Sequence, residues 1–206
     1  MYIAYSPSWL QWIYPSMVWH KSREEKSIYL TFDDGPIPVV TPFVLNTLNK
    51  FNAKATFFCI GDNVAKHPEI YKQILEEGHS AGNHTYNHLN GWKTSDDSYL
   101  QNIRKCAELT GSTLFRPPYG RIKRSQIKRL LAQDPGLQIV MWDVLSGDFD
   151  TGINTDRCIQ NVMKHAKNGS IIVFHDSVKA FPRLETALPM ILEGLRSKGF
   201  RFCAIT

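Results

Sequence analysis

Short apolar segments alternate with amphipathic helical patterns along this chain of 206 residues, and this alternation restricts the fold more than any other feature. β-Branched and aromatic residues mark seven predicted strands, at 27–32, 55–60, 79–83, 114–116, 137–142, 170–175 and 201–205. Helical periodicity separates them at 41–51, 68–77, 96–110, 124–133, 156–166 and 183–198. Because strands that are apolar on both faces need cover on both sides, the alternation predicts a parallel sheet flanked by helices.

The number of strand–helix units indicates how the sheet closes. About seven units predict an α/β fold in the form of a distorted, incomplete (β/α) barrel, and an open doubly wound sheet is the competing topology. The length of the chain suits a single core. We therefore predict an N-terminal aromatic segment at 1–26 that packs on the barrel, followed by one barrel domain at 27–206.

The N-terminal segment holds three of the five tryptophans, Trp9, Trp12 and Trp19. Covering part of the barrel is the simplest role for them, and contact with a membrane surface is the alternative. The segment has no basic residue before His20 and is interrupted by prolines, so it does not match a signal peptide. No apolar run in the sequence is long enough to span a bilayer.

The net charge of +5 comes from lysines and arginines that are scattered along the chain, so we expect no nucleic-acid partner. The four cysteines, Cys59, Cys106, Cys158 and Cys203, form no CxxC pair and are expected to be free thiols. Free thiols favour a reducing compartment such as the cytoplasm, although the sequence leaves the localisation open. It leaves the oligomeric state open as well.

Reactive side chains lie where the predicted strands end. They are Asp33 and Asp34 after the first strand, His84 and His88 after the third, Arg116 at the end of the fourth, Asp143 and Asp148 after the fifth, and His175 at the end of the sixth. The carboxyl ends of barrel strands meet at one mouth, where catalytic groups from separate strands converge. We therefore expect all of these side chains at that mouth.

Two of these groups suggest a metal site. TFDDGP places adjacent carboxylates between a strand and a turn, and such carboxylates repel each other unless a cation or a proton neutralises one of them. HTYNH spaces two imidazoles at i and i+4, one helical turn apart on a common face, which is a spacing that can chelate zinc. Two histidines and one aspartate would leave an open coordination position, as in a catalytic divalent site.

Five motifs in a fixed order carry a family resemblance. TFDDGP at 31–36, HTYNH at 84–88, RPPYG at 116–120, WDVLSGDF at 142–149 and VFHDS at 173–177 resemble the motifs of polysaccharide deacetylases with a NodB homology domain, carbohydrate esterase family 4. The resemblance implies a hydrolase that removes acetyl groups, above all the N-acetyl groups of N-acetylglucosamine-type residues, from an acetylated oligo- or polysaccharide. It also implies the distorted barrel that the alternation predicts.

The resemblance further implies a metal site and an acid–base pair. The metal ligands would be Asp34, His84 and His88. Asp33 would act as general base on a metal-activated water, and His175 would act as general acid toward the leaving group. One divalent ion is implied; zinc fits two imidazoles and a carboxylate, and cobalt, nickel, manganese and iron are alternatives.

Three supporting roles follow from the same resemblance. Arg116 would pair with Asp33, Asp148 would favour the protonated imidazole of His175, and the backbone N–H of Tyr119 would face the oxyanion. The fourth motif departs from the family pattern, because Leu145 stands where an aspartate is common and Phe149 replaces a tryptophan. This departure concerns the wall of the pocket, and therefore the substrate preference rather than the reaction.

Two other functions remain open at this point. A hydrolase of carbon–nitrogen bonds in small or cyclic amides could use a similar barrel, since a fold does not fix a substrate. A carbohydrate-binding pseudoenzyme would lack a ligand, base or acid, and none of these is missing here. The histidines outside the motifs, His20, His67, His79 and His165, are expected to be structural or exposed.

Overall fold

The computed structural model describes residues 3–206 and contains one parallel sheet. Its strands are β1 (Met17–Val18), β2 (Ser27–Asp33), β3 (Ala55–Cys59), β4 (Ser80–Asn83), β5 (Leu114–Phe115), β6 (Gln138–Val140), β7 (Val144–Leu145), β8 (Ile171–His175) and β9 (Arg201–Phe202). Eight strands follow the order β1-β6-β5-β4-β3-β2-β8-β7, in which all neighbours are parallel, and β9 pairs with β2.

The described α-helices are α1 (Ser8–Ile13), α2 (Val40–Lys50), α3 (Gly61–Lys66), α4 (Pro68–Glu76), α5 (Asp96–Thr110), α6 (Arg124–Gln133), α7 (Thr155–His165) and α8 (Phe181–Ser197). All six predicted helices are present, and their bounds differ from the prediction by at most two residues. Four elements, α1, α3, β1 and β7, were not predicted from the sequence. These elements span two to six residues, so they are too short to display a helical or strand period.

The strand order shows that the sheet is curled. β6 and β7 follow each other in the chain but lie far apart in the strand order. Only residues 141–143 connect them, so the Cα atoms of Val140 and Val144 lie at most about 14 Å apart. In a flat sheet, the strand-to-strand steps between β6 and β7 would add up to about 28 Å. The predicted distorted barrel is therefore confirmed, and an open doubly wound sheet does not describe the chain.

The main core surrounds β2, the strand that ends at the first pair of carboxylates. Phe32 of β2 stacks between Phe57 of β3 and Phe174 of β8, with ring centroids 5.2 and 5.6 Å apart. Helices α2, α7 and α8 cover these strands with buried side chains such as Val44 and Leu188. A strand that is buried on both faces and paired on both sides gives the residues at its carboxyl end a rigid support.

Residues near the N-terminus pair with β6 and with β7, the two strands on either side of the opening in the barrel. β1 runs parallel to β6, whereas Tyr5 forms an isolated antiparallel bridge with Val144 of β7. A second isolated bridge joins His20 to Ser170, the residue before β8. This segment therefore takes part in the sheet, although the division of the chain at residue 26 stays a prediction.

The three N-terminal tryptophans differ in burial. Trp19 is buried in a cluster with β5 and β6, as expected for a residue that covers the barrel. Trp9 and Trp12 of α1 are 61% and 81% exposed. None of the helices in the described part of the chain combines the length and apolar character that a membrane crossing requires.

The expectation that Asp143 lies at the mouth of the barrel is wrong. Its carboxylate accepts hydrogen bonds from the backbone N–H of Ile171 and the hydroxyl of Ser170, at the beginning of β8. It also forms an ion pair with Arg23 at 2.7 Å. Because the unpredicted strand β7 starts directly after Asp143, this residue lies at the opposite end of β8 from His175.

Candidate active site

Asp33 is the last residue of β2 at the mouth of the barrel, and Asp34 begins the tight turn that follows. The backbone N–H of Gly35 donates to Oδ1 of Asp176 at 3.0 Å. A Cβ atom on Gly35 would lie 1.9 Å from Oδ2 of Asp176, so only glycine allows this approach. The side-chain amide of Asn63 donates to the carbonyl of Asp34 at 2.7 Å. These contacts fix the backbone that carries both carboxylates.

Asp34, His84 and His88 each direct one metal-binding atom toward a common point, and these atoms lie within 4.8 Å of one another. Nε2 of His88 is 3.2 Å, and Nε2 of His84 is 3.9 Å, from Oδ1 of Asp34. That oxygen is buried but accepts no hydrogen bond. A buried carboxylate oxygen without a donor is unfavourable unless a cation faces it. The three side chains therefore fit a divalent ion.

The protonation of this group also suits metal binding. Nδ1 of His84 lies 2.8 Å from the carbonyl oxygen of Arg116, which can only accept, so Nδ1 carries the hydrogen and Nε2 presents its lone pair. Burial lowers the pKa of His84 to about 4 against the opposing charge of Asp33. Burial also opposes ionisation of Asp34, but the nearby imidazoles of His88, His175 and His84 together outweigh burial and hold the pKa of Asp34 well below its usual range.

The two histidines do not lie one turn apart on a helix, as their spacing suggested. They belong to an irregular loop that follows β4, and their ring centroids are 5.1 Å apart. The loop brings them together because His88 has a φ of 55° and the intervening Thr85 a φ of 63°. Asp34 has a φ of 88° as well. Left-handed backbone at non-glycine residues is unfavourable by on the order of 1–3 kcal/mol and often accompanies functional sites.

Arg116 is fully buried beside the metal-binding group and pairs with Asp33. Its Nη1 donates to Oδ1 of Asp33 at 2.7 Å and to Oγ1 of Thr31 at 2.6 Å. Its Nε and Nη2 donate to the carbonyl oxygens of Val140 and Met141. These bonds orient the Asp33 carboxylate so that its other oxygen, Oδ2, lies 4.0 Å from Nε2 of His84. Asp33 therefore faces the metal-binding group without joining it.

We expect Arg116→Met to lower the free energy of unfolding by about 3–5 kcal/mol, because removing one partner of a buried ion pair leaves the other charge uncompensated. Urea denaturation followed by circular dichroism measures this change. Arg129→Met is the matched control, since the Arg129–Asp97 pair is exposed and contributes about 1 kcal/mol or less. Equal losses of stability in the two variants would contradict the structural importance of Arg116.

His175 and Asp148 form a second pair at the cavity, in which Asp148 is buried and His175 is partly buried. Oδ1 of Asp148 lies 2.8 Å from Nδ1 of His175, and Oδ2 accepts the backbone N–H of His175 at 2.7 Å. The hydroxyl of Ser146 also donates to Oδ1. Burial lowers the pKa of His175, but the charge and hydrogen bond of Asp148, together with the charges of Asp34 and Asp33, outweigh burial and raise the pKa to about 9. The imidazole is therefore a proton donor at neutral pH.

One cavity of about 530 Å³ opens onto both pairs and the metal-binding group. Apolar side chains form part of its wall, among them Leu145, Phe149 and Trp142. Tyr119 lies at the rim, with its ring 4.6 Å from that of His88 and its backbone in the left-handed region at a φ of 60°. All eight predicted site residues thus lie in or directly behind this cavity, whereas Asp143 does not.

Several polar residues that were not predicted from the sequence support the site. Thr31, Ser146 and Asp176 lie inside the motifs quoted above, so their positions were visible while their contacts were not. Burial raises the pKa of Asp176 to about 8, although Thr41 and Gly35 donate hydrogen bonds to it. Asn63 stands in no motif, and no pattern in the sequence indicates its contact with Asp34.

Known proteins resemble this chain in sequence and in fold. Residues 20–140 match the polysaccharide deacetylase family. The chain is 37% identical over 196 residues to a peptidoglycan-N-acetylglucosamine deacetylase of Bacillus cereus, with 92% of this chain and 91% of the relative covered. It is 36% identical over 162 residues to a chitooligosaccharide deacetylase of Azorhizobium caulinodans, with 75% and 76% covered.

A solved structure gives the same result for the fold. The structure of a peptidoglycan N-acetylglucosamine deacetylase in complex with 4-naphthalen-1-yl-N-oxidanyl-benzamide superposes with a TM-score of 0.87 at 35% identity. The superposition covers 95% of this chain and 94% of the other. The similarity therefore includes the strands and loops that form the candidate site.

Proposed function

Because this chain belongs to the polysaccharide deacetylase family, carbohydrate esterase family 4, we propose that it removes acetyl groups from N-acetylglucosamine-type residues of a glycan by means of the eight residues described above. Family membership makes it a hydrolase of the polysaccharide deacetylase class. The residue assignment rests on one observation: Asp34, His84 and His88 line the same cavity as one member of each of two charged pairs, Asp33–Arg116 and Asp148–His175.

We assign Asp34, His84 and His88 as the residues that would hold one divalent ion. The family is metal-dependent in general. Oδ1 of Asp34 is buried and accepts no hydrogen bond, which fits a bound cation. Two imidazoles and one carboxylate favour zinc, with cobalt, nickel, manganese and iron as alternatives. When bound, such an ion polarises a carbonyl oxygen and makes a water molecule more acidic.

The residues of the chain would divide the proton transfers between them. Asp33, whose Oδ2 faces the metal-binding group, takes the proton of the attacking water, and Arg116 keeps the carboxylate in that orientation. The backbone N–H of Tyr119, at the rim of the cavity, donates to the oxyanion. Because Nδ1 of His175 faces Asp148, its Nε2 is the atom that gives a proton to the departing amine. Acetate and a free amino sugar are the products.

We expect Asp148→Asn to shift the alkaline limb of the pH profile of kcat/KM toward lower pH. A general acid with a pKa of about 9 is protonated below that pH and loses its proton as the pH rises through it. Removing the adjacent negative charge should lower the pKa of His175 by about 1–3 units. The pH profiles of both proteins measure the shift.

The control for this experiment is Asp150→Asn, which removes a carboxylate from the same loop without touching His175. Its profile should match that of the unchanged protein. If Asp148→Asn left the alkaline limb in place, His175 would not be the group responsible for that limb.

Acetate release tests the proposed function directly. The metal-loaded protein is incubated with chitotetraose, peptidoglycan, acetylxylan and a small cyclic amide, with chelator-treated protein as control. We expect chelator-sensitive release of acetate from N-acetylated glycans. Ring opening of a cyclic amide releases no acetate and is measured as loss of the intact ring; if it were the only reaction, the other carbon–nitrogen hydrolase would be favoured. Binding of a glycan without release of acetate would favour a pseudoenzyme.

A further inference from the structure

A second groove, of about 570 Å³, adjoins the catalytic cavity. Both are lined by Trp142 and by three consecutive residues, Tyr119, Gly120 and Arg121, so the groove continues from the cavity along one side of the RPPYG loop. Gly120 allows this loop to lie close to Trp142, because a Cβ on Gly120 would come within 2.7 Å of the indole ring. A chain-like substrate in the cavity could therefore extend into the groove.

Aromatic side chains from two distant segments form this groove. Trp9 of α1 and Trp92, which are far apart in the sequence, both line the groove. They are 61% and 55% exposed. The indole N–H of Trp92 donates to the carbonyl of Ile122 at 3.1 Å, so its polar edge is satisfied and its ring position is fixed. Exposed, oriented aromatic rings suit the apolar C–H face of a sugar ring, whose hydroxyl groups remain toward water.

The charges in the groove are positive. The guanidinium of Arg121 stacks 4.0 Å from the ring centre of Trp92, and that of Arg124 lies 5.4 Å from the ring centre of Tyr14. Among the described residues, no acidic side chain lines the groove, and neither arginine forms an ion pair. Guanidinium groups without an acidic partner favour a carboxylate. An uncharged sugar would offer no negative charge to these guanidinium groups.

We infer that the groove is a second sugar-binding subsite, which receives a carboxylate-bearing sugar residue of the same glycan whose acetylated residue occupies the catalytic cavity. The inference rests on the proposed deacetylation of a glycan. It gives the exposed Trp9 a role that covering the core does not explain. It also predicts that acidic glycans are better substrates than neutral ones of equal length.

Two tetrasaccharides test this inference. One alternates N-acetylglucosamine with N-acetylmuramic acid and carries free lactyl carboxylates; the other is neutral chitotetraose. Binding is measured by calorimetry, which needs no turnover, and acetate release gives KM and kcat. We expect Arg124→Gln to raise Kd and KM about five-fold for the acidic tetrasaccharide only, and Trp9→Ala to raise them about five-fold for both.

Matched controls come from the same surface. Trp12→Ala removes an even more exposed tryptophan from α1 that does not line the groove, and Arg196→Gln removes an exposed arginine elsewhere. Both should bind the two tetrasaccharides as the unchanged protein does. Unchanged binding in Trp9→Ala and Arg124→Gln would overturn the inference, as would equal losses in Trp9→Ala and Trp12→Ala.

Membrane contact is a separate outcome of the same variants. Vesicles of phosphatidylglycerol and phosphatidylcholine should bind the unchanged protein and Trp9→Ala alike. If vesicle binding fell in both tryptophan variants while glycan binding stayed constant, the surface would be a membrane contact and the subsite would be refuted. If the unchanged protein bound the acidic tetrasaccharide through Trp9 and Arg124 but released no acetate, the proposed function would fail and the subsite would stand.

Discussion

Replacing Asp33 by Asn lowers kcat by about 100-fold or more, the usual contribution of a general base, and leaves the bound metal in place. The substitution preserves the shape of the side chain and an oxygen that can accept from Nη1 of Arg116. It removes the carboxylate oxygen that faces His84 and could take a proton from water. Steady-state kinetics and metal analysis of the purified variant measure both effects.

Asp33→Asn must be folded for its kcat to be compared with that of the unchanged protein. Arg116 retains its bonds to Thr31, Val140 and Met141, so the guanidinium keeps several acceptors when its ionic partner is lost. Thermal unfolding should show whether the remaining stability suffices at the assay temperature. Asp97→Asn, on the protein surface, is a matched control with unchanged kinetics. Near-normal kcat in a folded, metal-loaded Asp33→Asn would remove Asp33 as the base.

Asp34→Ala abolishes metal binding and activity together. The carboxylate supplies one of three ligand atoms, and its buried oxygen faces both imidazoles. Without it, two histidines remain, and each loss of a ligand weakens a divalent site strongly. Metal content after dialysis, together with acetate release, tests both consequences. When one equivalent of metal is added to the assay, we expect Asp34→Ala to show less than about one-hundredth of the original activity.

Asp62→Ala serves as the control for Asp34→Ala, because Asp62 lies in the neighbouring helix α3 and only pairs with Lys66 on the surface. It should retain metal and activity. Stoichiometric metal in Asp34→Ala would show that the ligand assignment is wrong. Retained metal in that variant combined with lost activity would instead point to a role of Asp34 in the reaction itself.

The family and the fold could be predicted from the sequence because both depend on local signals. Strand and helix periods define the barrel, and the five ordered motifs predict the family, which is confirmed. The spacing of His84 and His88 also predicted that their side chains lie close together, as they do. It did not predict their backbone conformation, because a loop with two left-handed residues, Thr85 and His88, replaces the expected helical turn.

Contacts between distant segments could not be read from the sequence. Asp143 resembles the other strand-end carboxylates, but a two-residue strand follows it and places it at the opposite end of β8. Asn63 reaches the carbonyl of Asp34 from a helix too short to predict. The groove lined by Trp9 and Trp92 brings together residues from distant parts of the sequence. Such neighbours depend on tertiary packing.

The pairing of the N-terminal segment with β6 and β7 has a consequence for the behaviour of the protein in solution. An incomplete barrel has two edge strands, whose unpaired N–H and C=O groups can recruit strands from other molecules. Here β1 covers the edge of β6, and residues 4–6 cover part of β7 through backbone bonds to Asp143 and Leu145. The segment therefore protects the barrel from edge-to-edge aggregation.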